Sequence, residues 1–275
     1  MIDVPPPAST SAHDSPLIDA DATLRRIGII GRSGPSIEAL TALQRAWVGS
    51  IPFENLDIVL GRSIRLDLPT IEDKLIRRGR GGYCLEHVAL FVALLRQLGW
   101  DAHQSLASMV DLEAQQVPPT HATAIVRVGD ERWMADVGFG GGPLLPLPLR
   151  DGAQVGGGET WAHRIVRVGD RWQQQTWRKG DWMPTHATTA EPATPDAIAA
   201  GNRWVSTDPA SLFVGRPVLM RVTERDRTVL VDHELRVSRP GAEDAQRTLS
   251  PDERLAEITA GFGVTLSDDE RVGLR

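Results

Sequence analysis

Arg80-Gly81-Gly82-Tyr83-Cys84-Leu85-Glu86 is the stretch on which the reading of this chain turns: a glycine pair runs directly into an apolar helical pattern. Beyond it, Val88, Phe91, Val92, Leu95 and Leu98 recur at helical spacing, and Gly99 ends the run. Cys84 therefore opens a helix, and it is the only cysteine in 275 residues. A lone thiol makes no intrachain disulfide and no thiolate metal centre. It is either an inert core filler or a nucleophile. Unpaired amides at a helix start favour the thiolate, and paired glycines let the backbone approach closely and leave room for a substrate.

Upstream of this segment the pattern is helical. Ile37, Leu40, Leu43 and Trp47 follow Ser36 at helical spacing, with Pro35 near the start. Thr70 with Asp73 resembles a capping pair for a helix that stops at Gly79. Residues 1 to about 17 are rich in Pro, Ser and Ala and are expected to be a disordered leader.

Downstream the pattern changes to strands. Ala122 to Val128, a Gly129-Asp130-Glu131 turn, and Arg132 to Val137 alternate as a hairpin does. The hexapeptide Ile125 to Asp130 recurs identically at Ile165 to Asp170, which predicts a second hairpin with the same turn rather than a duplicated domain. Met220 to Val222 and Thr228 to Val231 form a further strand pair, and Gly138 to Gly158 reads as loop. Ser250-Pro251-Asp252-Glu253 is a capping box that starts a short helix through Ile258. Helices first, strands second and mixed structure last give an α+β fold. The expected division is a helical unit over 18–100, a strand-rich unit over 101–205 and a mixed unit over 206–275.

Bulk properties narrow the function. The net charge of −6 argues against a general nucleic-acid binder. No stretch reaches the roughly 20 apolar residues of a membrane span. The start, Met1-Ile2-Asp3-Val4-Pro5-Pro6-Pro7, has neither the basic residues nor the apolar run of a secretory signal, and with one cysteine the chain suits a reducing cytoplasm. There is no dinucleotide fingerprint and no Walker loop.

A nucleophilic thiol needs a base, and seven histidines compete: His13, His87, His103, His121, His163, His186 and His233. His13 lies in the leader. His87 is one turn beyond Cys84, with solvent as the alternative destination for its ring. His121 stands at the entrance of the first hairpin, and Asp136 at the exit. Folding that hairpin brings the two ends together, so that a carboxylate can hold one ring nitrogen and leave the other for sulfur. A solvated strand end explains the same residues equally well.

These segments together resemble the arylamine N-acetyltransferase family. The resemblance rests on Arg80 to Glu86, on Ile51-Pro52-Phe53-Glu54-Asn55-Leu56-Asp57 and on Asp136-Val137-Gly138-Phe139-Gly140. Arg26-Ile27-Gly28 and Thr207-Asp208-Pro209-Ala210-Ser211-Leu212-Phe213 also fit, in the same order, over about residues 18 to 260. The resemblance implies a helical bundle, a β-barrel-like middle and a C-terminal α/β lid around a cysteine-protease-like core of Cys84, His121 and Asp136. It implies acetyl-coenzyme A as acyl donor, with an aromatic amine, hydrazine or N-hydroxyarylamine as acceptor, and no metal. Phe53, Phe139 and Phe213 are then expected in the acceptor pocket, and Thr120, Gly140, Gly141 and Gly142 beside coenzyme A. Glu54 and Glu86 are expected to tie the helical region together, and Arg80 to brace the turn. Three positions depart from the family pattern: Thr23, Trp47 and Val88 stand where Tyr, His and Asn are usual. A related amide (macrolactam) synthase and a non-catalytic fold that binds aromatic ligands are the alternatives. A homo-oligomer is left open.

Overall fold

A computed structural model describes residues 18–115 and 117–275; the expected leader, residues 1–17, lies outside the described residues. The N-terminal part contains α1 (Ala20–Arg26), α2 (Ile37–Ser50), β1 (Phe53–Glu54), α3 (Leu56–Val59), α4 (Leu68–Glu72) and α5 (Cys84–Gln97). Ser36 caps α2 by accepting the Ala39 amide at 3.1 Å, and Leu40, Leu43, Trp47 and Val48 form its buried face. The cap of α4 lies three residues before the expected Thr70. Asp67 accepts the Thr70 amide at 3.1 Å, and Pro69 sits in the first turn, where no donor is needed. The helix then widens into a π-type turn over Asp73–Arg77.

The central helix α5 starts at Cys84, as the sequence predicts, and is buried on nearly every side. Glu86, in its first turn, reaches back to accept the Tyr83 amide at 3.0 Å. This answers one of the free donors at the helix start. Trp47 and Phe91 meet edge to face with ring centres 5.1 Å apart, locking α2 onto α5.

Strands β2 (Asp101–Met109), β3 (His121–Val128), β4 (Glu131–Ala135), β5 (Leu147–Pro148), β6 (Gln154–Val155), β7 (His163–Val168), β8 (Arg171–Arg178) and β9 (Asp181–Thr188) form one sheet. Its order is β5-β4-β3-β2-β9-β8-β7-β6, antiparallel throughout. The edge strands β5 and β6 are separated in the chain only by residues 149–153, so the two edges must approach each other. The sheet therefore curls into a nearly closed barrel, with Ile125, Met134, Leu147, Ile165 and Ala190 inside it. The repeated hexapeptide does what its sequence predicts. Both copies end in a two-residue Gly-Asp turn, with Gly129 at φ 59° and Gly169 at φ 61°. The stretch expected as pure loop, 138–158, contains β5 and β6, each too short to show a period.

The C-terminal part contains α6 (Pro195–Thr207), β10 (Val218–Val222), β11 (Arg227–Val231), β12 (Glu234–Ser238), β13 (Ala245–Thr248), α7 (Pro251–Ala256) and α8 (Asp268–Gly273). The Ser250–Glu253 capping box forms, but regular α-helix stops at Ala256 and a π-type turn carries the chain through Ile258. The second sheet runs β1-β10-β11-β12-β13. Its first strand is borrowed from the N-terminal part, with Phe53 opposite Met220. That pairing ties the C-terminal sheet to the segment beside Cys84. Among the described residues no helix is long and apolar enough to cross a membrane.

Candidate active site

The turn before Cys84 is held from beneath by buried ion pairs. Arg80, 1% exposed, meets Glu54 at 2.9 Å, Asp57 at 3.4 Å and Glu270 at 2.6 Å. Lys74 meets Asp57 and Glu86, both at 2.8 Å. Every carboxylate in this cluster faces a cation, which is what makes its burial tolerable. The Glu54 amide donates to the Gly82 carbonyl at 2.7 Å. At Gly81 a Cβ would fall 2.1 Å from the Pro52 carbonyl oxygen, so the two segments meet only because that position has no side chain.

His121 is the first residue of β3, and Asp136 follows the last residue of β4. The register, Ala124 opposite Ala135, returns the two ends of the hairpin to each other. His121 Nε2 lies 3.1 and 3.2 Å from the two Asp136 oxygens, and both residues are buried. With Nε2 on the carboxylate, Nδ1 is the nitrogen left for sulfur. The Cys84 side chain is near enough to His121 to help raise the pKa of its ring. Its Sγ also lies 3.4 Å from the Thr120 carbonyl oxygen. Burial alone would lower the His121 pKa. The charge of Asp136, the hydrogen bond to it and the contact with Cys84 outweigh burial and raise it to about 10. Burial likewise opposes ionisation of Asp136, and the His121 charge overrides it, holding the carboxyl below its ordinary value. At neutral pH the site contains an imidazolium on a carboxylate, beside the Cys84 sulfur.

A second imidazole, one of the seven competing histidines but given no role from the sequence, completes the cluster. His186 in β9 is fully buried, with Nε2 3.3 Å from Asp136 Oδ2. Its ring centre lies 4.5 Å from that of His121 and 5.4 Å from that of Phe139. Burial and the neighbouring His121 charge push its pKa down to about 3, against the pull of Asp136, so it stays neutral. The ligand-capable atoms of His121, Asp136 and His186 lie within 4.8 Å of one another. The His87 ring is buried, so solvent, the alternative left open for it, is not where it lies. Its Nδ1 accepts from Trp47 Nε1 at 2.9 Å, and its Nε2 lies 3.1 Å from the Gly82 carbonyl. Burial, only partly offset by the Pro52 and Gly82 carbonyls, lowers its pKa to about 4. The unusual Trp47 thus serves as a donor that fixes a neutral histidine beneath the glycine turn.

The aromatic residues fall in two groups joined by one loop. Phe139 meets His121 edge to face at 5.5 Å, and Phe53 packs against Phe213 at 5.6 Å. Asn55 donates to the Phe213 carbonyl at 2.7 Å, anchoring that late segment. Gly140 abuts Phe53 and Met220, Gly141 abuts the Arg227 side chain, and the Gly142 amide donates to the Phe139 carbonyl at 2.5 Å. Thr23 is buried, with its hydroxyl donating to the Asp19 carbonyl at 3.0 Å. Val88 is buried on α5 beneath Gly138.

This arrangement, a thiol at a helix start on one unit and an imidazole–carboxylate pair on a barrel hairpin, suits acyl transfer through a thioester. Comparison with known proteins agrees with it. The N-acetyltransferase family profile matches residues 36–271. The arylamine N-acetyltransferase of Mycolicibacterium smegmatis is 35% identical over 91% of this chain and 94% of its own length. The structure of the arylamine N-acetyltransferase from Mycobacterium abscessus superposes with a TM-score of 0.87 at 35% identity, covering 94% of this chain and 93% of that one. The Mycobacterium marinum enzyme, whose structure is a complex with CoA, superposes at 0.86 and 28% identity over 93% and 97% of the two chains. A chain that matches a family over nearly its whole length in both sequence and backbone belongs to it: this protein is a member of the arylamine N-acetyltransferase family, which are acyltransferases.

Proposed function

We propose that the protein moves an acetyl group from acetyl-coenzyme A to the nitrogen of an arylamine, arylhydrazine or N-hydroxyarylamine, through an acetyl thioester on Cys84. The observation that carries this reading is the pairing of His121 Nε2 with Asp136 at 3.1 and 3.2 Å, which leaves Nδ1 for the Cys84 sulfur. A resting imidazolium beside the sulfur stabilises a thiolate. The thiolate attacks the acetyl carbonyl, a new carbon–sulfur bond forms, and coenzyme A departs with the proton of His121. The amine then attacks the acetyl-Cys84 carbonyl. As the carbon–nitrogen bond forms, His121 takes the amine proton, the carbon–sulfur bond breaks, and the thiolate–imidazolium pair is restored. Two half-reactions that share one thioester give ping-pong kinetics.

The roles divide among the parts of the chain. Residues 18–100 supply the nucleophile, residues 101–205 the base and its carboxylate, and residues 206–275 act as the lid. Phe53, Phe139 and Phe213 offer flat apolar surface to an aromatic acceptor. Thr120 and Gly140 to Gly142 line the approach for the donor arm. The reaction needs no metal, because the carbonyl is activated as a thioester and the proton is handled by His121.

The test is mass spectrometry of the protein after incubation with acetyl-coenzyme A. One acetyl group on the Cys84 peptide, discharged by an added arylamine, is the expected result. No mass gain on that peptide contradicts the reading. Cys84→Ser is expected to abolish turnover, since a hydroxyl at this site offers no accessible anion.

A further inference from the structure

Arg227, the first residue of β11, is only 5% exposed. Its Nε and Nη2 atoms have no hydrogen-bond partner among the described residues. These two nitrogens form the edge of a guanidinium that grips a carboxylate or phosphate with two parallel bonds. The formal charges that act on it are Arg178, which opposes its own charge, and Asp244, which favours it. Burial, then Arg178, lowers its pKa to about 10, and it remains a cation at neutral pH. Its cover is Trp161, with the ring centre 4.3 Å from the guanidinium carbon. The indole N–H is used elsewhere, donating to the Thr223 carbonyl at 3.0 Å. A cation–π contact offsets only part of the cost of burying an unpaired guanidinium. The buried ion pairs around Arg80 illustrate the alternative, in which every nearby carboxylate is matched.

The place of this group is specific. A Cβ on Gly141 would lie 3.3 Å from Arg227 Cδ and Nε. A Cβ on Gly138 would lie 3.0 Å from the Cys84 Cα. Those two glycines are three residues apart, at most about 11 Å of chain. One short loop therefore runs from the Cys84 backbone, past Phe139 on His121, to the unpaired cation. An acyl donor whose thioester and phosphates are joined by a long flexible arm spans such a path.

Resting on the acetyl-coenzyme A reading above, we propose that Arg227 is the donor-binding cation of this enzyme, receiving a phosphate of coenzyme A on its Nε–Nη2 edge. Both nitrogens are enclosed, so the phosphate enters as Trp161 gives way. Trp161 closes the segment 156–161, which begins with three glycines at φ 70°, 118° and 64°. Arg227 recognises the carrier and not the acetyl group, so its contribution disappears with a donor that has no phosphate.

The experiment compares acetyl-coenzyme A with p-nitrophenyl acetate, a phosphate-free acetyl donor, in the wild type and in Arg227→Gln. The ratio of kcat/KM for the two donors is expected to fall at least tenfold in the variant, through KM for acetyl-coenzyme A. Arg227→Lys, which keeps the charge and loses the fork, is expected in between, and it carries the same comparison if Arg227→Gln does not fold. Acetyl-dephospho-coenzyme A locates the contact: the variant's defect persists if the diphosphate is bound and vanishes if the 3′-phosphate is. An unchanged donor ratio in both variants overturns the assignment and gives Arg227 a purely structural role under Trp161. A wild type that accepts p-nitrophenyl acetate but not acetyl-coenzyme A refutes the donor reading itself, a separate outcome.

Discussion

His186 Nε2 lies 3.3 Å from Asp136 Oδ2, so one buried carboxylate is flanked by two imidazoles that cannot both be charged. The environment divides them. His121 has both carboxylate oxygens and the sulfur contact, and its pKa rises to about 10, against the pull of burial. His186, under burial and the His121 charge, falls to about 3. The carboxylate favours the His186 tautomer with its proton on Nε2, leaving Nδ1 to Thr185 Oγ1 at 3.3 Å. The contact with Asp136 is close but poorly aligned as a hydrogen bond. His186→Phe keeps an aromatic ring and removes the polar flank. Loss of this polar neighbour of Asp136 is expected to lower kcat/KM by roughly twofold to tenfold. The rate of Cys84 alkylation by iodoacetamide against pH is expected to shift as well. Unchanged turnover with an unchanged alkylation profile removes His186 from the site's working parts.

The His121–Asp136 pair also makes stability depend on pH. The folded pKa of His121 is raised, so its contribution is complete below about 6.5, its unfolded value. That contribution is lost as pH rises through about 10. The folded pKa of Asp136 is lowered, so its contribution is complete above about 3.9 and lost as pH falls below that. Asp136→Asn removes both. The difference in unfolding free energy between wild type and variant, measured by urea titration at a series of pH values, is expected to be widest between about pH 4 and 6.5. A difference that grows from pH 7 to pH 10 has the wrong sign for this account.

Arg80 is a structural cation whose loss leaves buried carboxylates facing one another. Arg80→Met strips Glu54 of its ion pair and leaves Glu270 with Arg62 alone, at 2.6 Å. Breaking one side of a buried pair costs about 3–5 kcal/mol. Urea midpoints should report a loss of that order. A loss below about 1 kcal/mol shows that the cluster relaxes or takes up water.

Gly81→Ala tests the contact between the Pro52 and Cys84 segments. The added methyl falls 2.1 Å from a backbone oxygen and 2.8 Å from Glu54 Cγ, and a backbone oxygen has no rotamer in which to retreat. The cost is expected at or above the roughly 1–3 kcal/mol of ordinary overpacking. Thiol alkylation should slow together with the loss of stability, because the turn that aims Cys84 is displaced. Wild-type stability in this variant excludes the close approach.

What the sequence determines by itself is local. The glycine turn, the apolar period after Cys84 and the repeated Gly-Asp turns are written in consecutive residues, where steric limits and helix periodicity act directly. They place Cys84 at a helix start and close the hairpin that joins His121 to Asp136. The cap at Asp67 and the π-type turns fall outside this reach. Competing capping residues stand within a few positions of each other, and only packing selects among them. Tertiary structure decides which other groups join the site. Met109 pairs with His186 on one edge of β2, while Ala107 pairs with His121 on the other, so sheet register carries His186 across a strand to Asp136. Arg227 reaches Gly141 in the same way, through a sheet that begins with Phe53. Such neighbours are far apart in the chain and share no local pattern. Burial then sets their charge states, because only in a water-poor interior does one carboxylate raise the pKa of one imidazole while a second stays neutral.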